Sequence, residues 1–429
     1  MTITFIGHGY VGLVTAAVFA DFGNTVYVIG HTKEKIENLK QGVIPIYEPG
    51  LAELVKKNVN AKRLIFTLDY KPSISQSDIV FIAVGTPTTK TGDADLSTVL
   101  QVAEKVGQNL EGYTVVATKS TVPAGTNKKV KRILEESKPQ GTEVDYASVP
   151  EFLREGSAIS DTTNPDRIVI GTENKRAEDL LVKLHEPINA PLVLTNFETA
   201  ELIKYAANAF LALKISYANA IAKLSELLGA DALKVLEGIG KDKRIGNMFL
   251  SPGPGYGGSC FPKDVRALIS IAKDNDYPFS LLEEVENINH QSRRDIVRKV
   301  RKTLGDIRNK KIGILGLAFK ANTDDMRDAP AIDIINLLQN DGAKISAFDP
   351  KAMDTAAAVL KDVEYKKDAY EVAEGADLII VLTEWNEFKE LNLLKLKERM
   401  KSPNIIDGRN IYDPEEMTKL GFNYQGIGR

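Results

Sequence analysis

The chain of 429 residues has the composition of a globular protein and is long enough for two or three domains. Its net charge of −3, with 43% hydrophobic and 26% charged residues, gives no indication of binding to nucleic acid or to an anionic membrane. Apolar runs such as IVFIAV are far shorter than the roughly 18 residues that a membrane span requires.

The first predicted element begins at the N-terminus, where MTITFIG has a strand pattern and lacks the charged and long apolar regions of a secretory signal. The single cysteine cannot form an internal disulfide, so a reducing, cytoplasmic location is expected. Further short apolar runs alternate with amphipathic segments, which is typical of a doubly wound parallel sheet in an α/β protein. Strands are predicted at Thr2–Ile6, Thr25–Ile29, Leu64–Thr67, 79–84, 115–118 and 167–170.

The pattern changes at 198–230, which is rich in Ala and Leu and predicts one helix of about thirty residues. More helical sequence follows, and strands and helices alternate again from KIGILGLAF onward. The prediction is therefore two Rossmann-like doubly wound α/β domains, at 1–196 and 306–429, joined by a helical middle domain at 197–305 that contains the long helix.

A G-x-G-x-x-G pattern follows the first predicted strand and opens a helix, with Gly7, Gly9 and Gly12 as its glycines. The first glycine permits a tight turn, the second lets the backbone approach a pyrophosphate, and the third lets the helix pack on the strand. Dinucleotide binding is the favoured interpretation over a purely structural turn. His8 lies between two of these glycines, and its side chain is expected to face solvent.

Dinucleotide-binding domains usually carry an acid about 20 residues later, at the end of the second strand, to hold the adenosine ribose. Here that position is Gly30, followed by His31, Thr32, Lys33 and Lys35. A glycine with hydroxyl and basic neighbours could suit a 2′-phosphate, so the residues alone favour NADP. The alternative is NAD held without its ribose clamp.

The second α/β unit has an incomplete glycine pattern, with Gly313 and Gly316, which disfavours a second dinucleotide site. The unit could still hold a nucleotide-linked substrate, with Lys320 and Arg327 as phosphate partners, or be a turn with surface charges. The preceding segment 293–311 carries nine Lys and Arg residues and is predicted to be a solvated charged surface.

The only cysteine, Cys260, lies in the loop YGGSCFPKD, which is not an apolar core sequence. Nearby cations favour the thiolate form of a cysteine. Beside a dinucleotide domain, such a thiolate can add to an aldehyde, and the thiohemiacetal can be oxidised to a thioester that water hydrolyses. The alternatives are a buried structural cysteine and a one-step alcohol dehydrogenase in which Cys260 is incidental.

Two-step oxidation of this kind needs further groups. Lys204 and Asn208 are four residues apart on the predicted long helix, share a face, and could stabilise an alkoxide. Hydrolysis needs a carboxylate to activate water, and the candidates are Glu151, Glu155 and Asp264.

The chain resembles a known family over essentially its whole length. The segments that carry the resemblance are GHGYVGL, IPIYEPGL, VGTPTTKTGDADL, KSTVPAGT, PEFLREGSA, ELIKYAANAFLALKIS, GPGYGGSCFPKD, GLAFKANTDDMRDAP and IIDGRN. They are similar to the UDP-glucose/GDP-mannose dehydrogenase family, most of all to its bacterial branch acting on UDP-glucose. The resemblance implies oxidation of the sugar C6 hydroxyl to a carboxylate with two NAD consumed, and a homodimer built on the helical middle.

The resemblance also implies roles for single residues. Cys260 corresponds to the nucleophile, and Lys204 and Asn208 to groups that stabilise the oxyanion. Thr121 and Asp264 correspond to positions that hold or activate a water, and Glu151 to the residue assisting thioester hydrolysis. No metal site is predicted.

The family's ligand contacts fall on two sets of positions. The positions that contact NAD correspond to Gly7, Gly9, Tyr10, Val11, Gly12, Gly30, Lys35, Thr86, Thr121, Glu155, Lys263 and Arg327. The positions that contact the UDP-sugar correspond to Glu151, Phe152, Leu153, Lys204, Asn208, Arg244, Phe249, Ser251, Tyr256, Gly257, Lys320 and Arg409. Arg244 matches a residue that reaches into the neighbouring subunit's site. Gly30 departs from the family, which usually has Asp there.

The residues alone leave other functions open. Within the family, the substrate could be UDP-N-acetylmannosamine or GDP-mannose. A non-catalytic nucleotide-binding protein is disfavoured because Cys260, Lys204, Asn208, Asp264 and Glu151 are all present. NAD is placed before NADP because the family uses it and because one missing contact of about 1–2 kcal/mol can be compensated.

Overall fold

The computed structural model describes residues 1–89 and 92–429. The segment VGTPTTKTGDADL extends through Lys90 and Thr91, which lie outside the described residues. The chain divides into two compact units, Met1–Ala207 and Asn208–Arg429. Each unit contains a mixed α/β fold, as predicted.

The elements of the first unit alternate between strand and helix. Its strands are β1 Thr2–Ile6, β2 Thr25–Ile29, β3 Leu64–Thr67, β4 Ile79–Ile82, β5 Tyr113–Thr118, β6 Glu143–Ser148, β7 Ile168–Thr172 and β8 Leu192–Thr195. Its helices are α1 Tyr10–Asp21, α2 Lys33–Lys40, α3 Leu51–Asn60, α4 Tyr70–Ile74, α5 Ser97–Gln108, α6 Thr126–Ser137, α7 Ala158–Thr163, α8 Lys175–His185 and the start of α9 Phe197–Leu228.

The eight strands form one sheet in the order β3-β2-β1-β4-β5-β6-β7-β8. All neighbours are parallel except β6 and β7, which pair antiparallel. The order 3-2-1-4-5-6 of the first six strands is that of a dinucleotide-binding fold. Its switch point lies between β1 and β4, so the carboxyl ends of these strands are where a ligand is expected.

Apolar side chains on both faces of the central strands explain why the sheet is covered by helices on both sides. Phe5 of β1 stacks on Phe81 of β4, with ring centroids 4.8 Å apart. Phe19 of α1 packs against both rings. All three side chains are fully buried, so α1 is held firmly against the start of the sheet.

The second unit repeats the alternation after its helical part. Its helices are the rest of α9, then α10 Ala232–Gly240, α11 Phe261–Asp274, α12 Ser280–Leu304, α13 Pro330–Asn340, α14 Met353–Val359, α15 Ala369–Ala373, α16 Asn386–Lys389, α17 Leu393–Arg399 and α18 Pro414–Lys419. Its strands are β9 Lys311–Leu315, β10 Lys344–Phe348, β11 Val363–Tyr365, β12 Leu378–Val381, β13 Asn404–Asp407 and β14 Asn423–Gln425.

The second sheet is parallel throughout, in the order β11-β10-β9-β12-β13-β14. The second Rossmann-like fold is therefore confirmed. Sequence patterns missed β6, β8, β11 and β14, because their sequences EVDYAS, LVLT, VEY and NYQ are short, polar or exposed. These strands lie toward the outer part of each sheet, where burial does not impose a continuous apolar run.

The predicted long helix is confirmed as α9, which has 32 residues. In the second unit, its small residues Ala218 and Ala222 are buried in the core. Phe210, Tyr217 and Leu224 recur every seven residues on the same helix and are 61%, 49% and 49% exposed. Within residues 1–89 and 92–429, no helix combines the length and apolar character needed to cross a membrane.

Candidate active site

The glycine loop between β1 and α1 has the geometry of a phosphate cradle. A Cβ on Gly7, whose φ is +115°, would lie 2.3 Å from the Ala83 carbonyl oxygen, and one on Gly12 would lie 2.2 Å from the Gly7 carbonyl oxygen. Both positions therefore require glycine. Gly9 is exposed, and a Cβ there would meet nothing within 4 Å. The backbone at Gly9 is thus open to a ligand at the start of α1, which begins with Tyr10 and Val11 and suits a pyrophosphate.

The prediction that His8 faces solvent is wrong. Its side chain is 7% exposed, and its ring lies 5.3 Å from the ring of His31. The reason is Gly30 at the end of β2, where the missing side chain leaves room for neighbours. A Cβ on Gly30 would lie 2.6 Å from Ile36 Cδ1 and 3.1 Å from His8 Nδ1.

Glu48 of the segment IYEPG ties the glycine loop to the segment PEFLREG. Its buried carboxylate accepts hydrogen bonds from the Tyr10 hydroxyl, the Gly156 amide at 2.6 Å and the Ala158 amide at 2.7 Å. Burial and the hydrogen bond to Glu48 raise the pKa of Tyr10 well above its usual value. The negative charge of Glu155 acts on Tyr10 as well, so Glu155 lies near the glycine loop.

Two further predicted cofactor residues are brought together at the ends of β4 and β5. The Thr86 hydroxyl donates to the Thr121 carbonyl at 2.8 Å. The neighbouring Ser120 hydroxyl donates to the Val84 carbonyl at 2.7 Å. These bonds fix the two loops at the switch point of the sheet. Lys35 is exposed on α2.

Glu151 and Lys204 form a buried ion pair in the first unit. The Lys204 Nζ and Glu151 Oε1 atoms are 3.3 Å apart, with side chains 3% and 6% exposed. The other oxygen, Oε2, accepts the Leu153 amide at 2.5 Å. The Arg167 guanidinium lies over the ring of Phe152, 3.6 Å from its centroid. Lys204 Nζ lies 5.1 Å from the same centroid. The carboxylate of Glu151 is thus held in one orientation by a cation and a backbone amide.

Lys119 is a second buried cation near Glu151, and it was not predicted from the sequence as a site residue. Burial lowers the pKa of Lys119 to about 8, although the Glu151 charge opposes this shift. A cavity of about 50 Å³ is lined by Lys119, Glu151, Thr15 and His185. The Thr15 hydroxyl has no hydrogen-bond partner within the part of the chain that the structure describes. The cavity is mainly apolar, but it has polar groups in its lining and is large enough for water next to Glu151.

In the second unit, Cys260 lies at the start of α11 and is partly exposed. Its carbonyl accepts the Asp264 amide at 2.9 Å, so Asp264 lies one turn into the helix. The Asp264 carboxylate accepts the Asn208 side-chain amide at 2.6 Å and pairs with Lys263 Nζ at 2.5 Å. The structure therefore brings Asn208, Lys263 and Asp264 together beside the turn that carries Cys260.

The loop before Cys260 is fixed by α12. The Asn289 side chain accepts the Tyr256 amide at 2.7 Å and donates to the Tyr256 carbonyl at 3.1 Å. Arg293 donates to the Tyr256 carbonyl at 2.8 Å and to the Asp328 carbonyl at 3.1 Å. Arg293 is 5% exposed, so the prediction that 293–311 is a solvated surface is wrong for this residue. Its position in a charged run gave no sign of burial.

The glycines of this loop permit close packing. A Cβ on Gly257 would lie 2.4 Å from the Asp328 carbonyl oxygen. Gly258, whose φ is +82°, donates its amide to the Arg327 carbonyl at 2.8 Å, and a Cβ there would lie 2.8 Å from the Phe319 ring. The loop is therefore pressed against 319–328, the segment that follows β9.

Arg409 connects the end of β13 to the same region. It donates to the Leu382 carbonyl at 2.8 Å and to the Phe319 carbonyl at 2.9 Å. Its guanidinium also lies next to Gly253, where a Cβ would be 3.3 Å from Nη1. Lys320 follows Phe319 directly, with Nζ 5.6 Å from that ring. Arg409, Lys320 and the loop 249–257 are thus neighbours in the second unit.

The remaining predicted substrate residues differ in exposure. Tyr256 is buried, and its ring meets Phe261 edge to face at 6.1 Å. The ring of Phe249 also lies 6.1 Å from Phe261, whereas Ser251 is exposed. Arg244 is exposed and pairs with Asp242 at 2.6 Å.

Arg327 pairs with Asp325 at 2.7 Å, so its side chain is oriented by its own loop. Of the residues missed from sequence, Lys119 and Glu48 lay inside segments that carried the resemblance, KSTVP and IYEPG. Asn289 lies in an ordinary helical sequence and could be found only from the structure.

Three family models match consecutive parts of the chain. Residues 1–189 match the NAD binding domain of the UDP-glucose/GDP-mannose dehydrogenase family, residues 198–291 its central domain, and residues 313–414 its UDP binding domain. The matches follow the family's domain order along the sequence.

Individual relatives match over nearly their full length. The UDP-glucose 6-dehydrogenase TuaD of Bacillus subtilis is 51% identical, with 100% of this chain and 93% of that protein covered. The structure of a UDP-glucose dehydrogenase from Pyrobaculum islandicum has a TM-score of 0.93 at 37% identity, covering 100% and 97%. That of a UDP-D-ManNAc dehydrogenase from Pyrococcus horikoshii has a TM-score of 0.89 at 30% identity, covering 100% and 99%.

Proposed function

The chain belongs to the UDP-glucose/GDP-mannose dehydrogenase family, and on that premise we propose that it oxidises the C6 hydroxyl of UDP-glucose to the carboxylate of UDP-glucuronate. It is an NAD-dependent oxidoreductase, and its cofactor domain is the N-terminal one. The open backbone at Gly9 and the close contacts at Gly7 and Gly12 suit NAD. NAD supplies the hydride acceptor in both oxidations. The three domains at 1–196, 197–305 and 306–429 remain a prediction.

The observation that carries the proposed mechanism is Cys260 at the start of α11, with Asp264 one turn later. A helix N-terminus stabilises negative charge, which favours the thiolate of Cys260. After the alcohol has lost a hydride and a proton, the thiolate sulfur bonds to C6 of the aldehyde. The carbonyl oxygen takes a proton, which gives a thiohemiacetal.

Loss of a second hydride from C6, and of the hydroxyl proton, converts the thiohemiacetal to a thioester. Water then adds to C6, the carbon–sulfur bond breaks, and the thiolate leaves. The product is the carboxylate, and the balance is one water consumed, two hydrides transferred and three protons released.

Asp264 and Asn208 are proposed to act on the reacting oxygen. An amide nitrogen has two hydrogens, so Asn208 can donate one to Asp264 and the other to the developing oxyanion. Asp264, whose second oxygen pairs with Lys263, is proposed to hold or activate a water, and Thr121 of the first unit is a further candidate for this role. The burial of Asn208 and Asp264, and the charge of the neighbouring Lys263, support these roles.

We propose that Lys204 stabilises negative charge and that Glu151 assists hydrolysis. Lys204 is a buried cation suited to an alkoxide, and Glu151 is a carboxylate whose orientation is fixed. Glu151 is proposed to assist water in attacking the thioester. The cavity beside Glu151 supports this role, because it offers room for water.

UDP-glucose is proposed over the other nucleotide sugars because the relative at 51% identity is named for UDP-glucose. The solved dehydrogenase for UDP-D-ManNAc is only 30% identical. We assign Lys320, Arg409 and the loop 249–257 to the UDP-sugar, since they are neighbours in the second unit. A cytoplasmic location is proposed because a reducing compartment keeps the Cys260 thiol reduced.

The experiment is a measurement of stoichiometry with purified protein, UDP-glucose and excess NAD. We expect two NADH and one UDP-glucuronate per UDP-glucose in the wild type. Cys260→Ser should form no more acid than a reaction without enzyme. A ratio of one NADH per UDP-glucose, or full acid formation by Cys260→Ser, would rule out the thioester intermediate. Parallel assays with UDP-N-acetylmannosamine and GDP-mannose test the substrate. Faster turnover of either sugar nucleotide would identify it as the substrate in place of UDP-glucose.

A homodimer is proposed through the exposed stripe Phe210, Tyr217 and Leu224 of α9. Exposed aromatic and aliphatic residues in a seven-residue repeat are typical of helix pairing. Arg244, which is exposed on the same unit, is proposed to reach the partner's site. Phe210→Lys with Tyr217→Lys should give a monomer in light scattering, whereas the control Leu394→Lys should stay dimeric. A wild-type monomer would contradict the proposal.

A further inference from the structure

The end of β2 has no room for the acid that usually reads the adenosine ribose. A Cβ on Gly30 would lie 2.6 Å from Ile36 Cδ1 and 3.1 Å from His8 Nδ1. Two side chains thus occupy the space that a side chain at residue 30 would need. Recognition of the ribose must therefore fall to other groups in this part of the first unit.

His8 presents a buried nitrogen beside this position. The side chain is 7% exposed, and Nδ1 has no hydrogen-bond partner among residues 1–89 and 92–429. Burial lowers the pKa of His8, and the positive charges of His31 and Lys35 lower it further, so the neutral form of the ring is favoured. A buried polar atom without a partner destabilises a protein, so it marks a place where a ligand group is expected.

A neutral imidazole differs from a carboxylate in what it can bind. Its Nδ1 atom can accept from the 2′-hydroxyl of NAD or, in the other tautomer, donate to a 2′-phosphate. A carboxylate only accepts, and its charge repels the phosphate of NADP. His8 therefore permits both cofactors where the usual acid selects one.

The surrounding charges favour an anion. The ring of His31 lies 5.3 Å from that of His8, and Lys35 is near enough for its charge to act on His8. Helix α2, which begins at Lys33, adds the positive end of its dipole. One acid, Glu34, lies in its first turn and is exposed.

We propose that His8, His31 and Lys35 form a binding site for the 2′-phosphate of NADP, so that this chain binds NADP as well as NAD. The proposal concerns the dinucleotide site of the first unit and does not depend on which sugar is oxidised.

The test is calorimetric titration of the full-length protein with adenosine 2′,5′-bisphosphate and with 5′-AMP, which differ only in the 2′-phosphate. We expect the bisphosphate to bind the wild type at least as tightly as 5′-AMP, with an affinity that falls as salt is raised. Binding of 5′-AMP without detectable binding of the bisphosphate would overturn the proposal.

Single-residue variants test which side chains bind the 2′-phosphate. His8→Ala should weaken bisphosphate binding by about tenfold, as expected for a lost hydrogen bond to a charged group, whereas His8→Asn retains a donor and should restore most of it. Lys35→Ala should weaken bisphosphate binding by about three- to tenfold and should change 5′-AMP binding less.

Lys33→Ala is the matched control, because Lys33 is an exposed lysine of the same helix, whereas the charge of Lys35 acts on His8. Equal bisphosphate affinity in the Lys33, Lys35 and His8 alanine variants would overturn the site. A protein that binds both nucleotides but fails to oxidise UDP-glucose would refute the proposed reaction and still support this inference.

Discussion

The side-chain amide of Asn208 donates to the carboxylate of Asp264 at 2.6 Å, and both side chains are buried. The other carboxylate oxygen pairs with Lys263. Each oxygen of Asp264 thus has its own partner, one a neutral amide and one a cation. Removing the charge of Asp264 therefore changes two neighbours at once without changing the volume of the side chain.

We expect Asp264→Asn to lower kcat by at least about a hundredfold, because a group that activates water or holds a proton contributes on this scale. Folding should be preserved, since the substituted amide is isosteric. The measurement is steady-state NADH formation with UDP-glucose, together with a thermal unfolding curve.

Asp274→Asn is the matched control for Asp264→Asn, because Asp274 is exposed on the same helix, α11. It should retain wild-type kcat. A kcat for Asp264→Asn within threefold of this control would show that the carboxylate has no part in the reaction.

The loop before Cys260 depends on Asn289, which makes two hydrogen bonds to the backbone of Tyr256. Asn289→Ala leaves a buried amide and carbonyl without that partner and should destabilise the protein by about 1–3 kcal/mol. We also expect kcat to fall more than KM rises, because the loop carries the nucleophile. Urea unfolding and steady-state kinetics give both values.

Asn287→Ala is the corresponding control, since Asn287 is exposed on α12. It should change neither the free energy of unfolding nor kcat. If Asn289→Ala has the stability of this control, the two bonds to Tyr256 do not hold the loop.

His185 should make the protein sensitive to acid. Burial lowers its pKa from 6.5 to about 4, so the unfolded chain binds a proton at a pH where the folded chain does not. Its contribution to stability is complete above pH 6.5 and is lost as the pH falls toward 4. The loss should reach at most about 3 kcal/mol.

The measurement compares the wild type with His185→Gln by urea unfolding between pH 4 and pH 7.5. The glutamine can still donate to the Leu181 carbonyl but does not titrate. The wild type should lose stability more steeply than the variant between pH 6.5 and 4, and the two curves should run parallel above pH 6.5. Parallel curves over the whole range would contradict the assignment to His185.

Restoring the usual acid at residue 30 should be unfavourable in this chain. Gly30→Asp forces Ile36 and His8 to move, and we expect a loss of about 1–3 kcal/mol in the free energy of unfolding. Adding Ile36→Ala should make the cost of Gly30→Asp smaller, because Cδ1 and Cγ1 of Ile36 are the nearest atoms. The affinity for NADP should fall relative to that for NAD. Unchanged stability in the single variant would contradict the packing at Gly30.

Local patterns were sufficient for the glycine loop and the long helix. The positions of Gly7 and Gly12 could be predicted because the turn that needs them lies between an adjacent strand and helix. The 32-residue helix α9 could be predicted because its sequence contains no Gly or Pro to interrupt a helix.

Burial that depends on distant segments could not be predicted. His8 is buried because Gly30 has no side chain and Ile36 packs into the space that this leaves. Both residues are more than twenty positions later in the sequence. Arg293 is buried because it donates to carbonyls 37 and 35 residues away. Neither residue has neighbours in sequence that distinguish it from an exposed one.

The carboxylate of Glu48 bonds Gly156 and Ala158 across 108 and 110 residues of chain. Contacts of such sequence separation form only after a long loop has closed, which slows folding. Since Glu48 also holds Tyr10, the cofactor loop should acquire its native shape late, after β1 and α1 have packed. During synthesis, the glycine loop should therefore become competent for NAD only once the chain beyond residue 158 has left the ribosome.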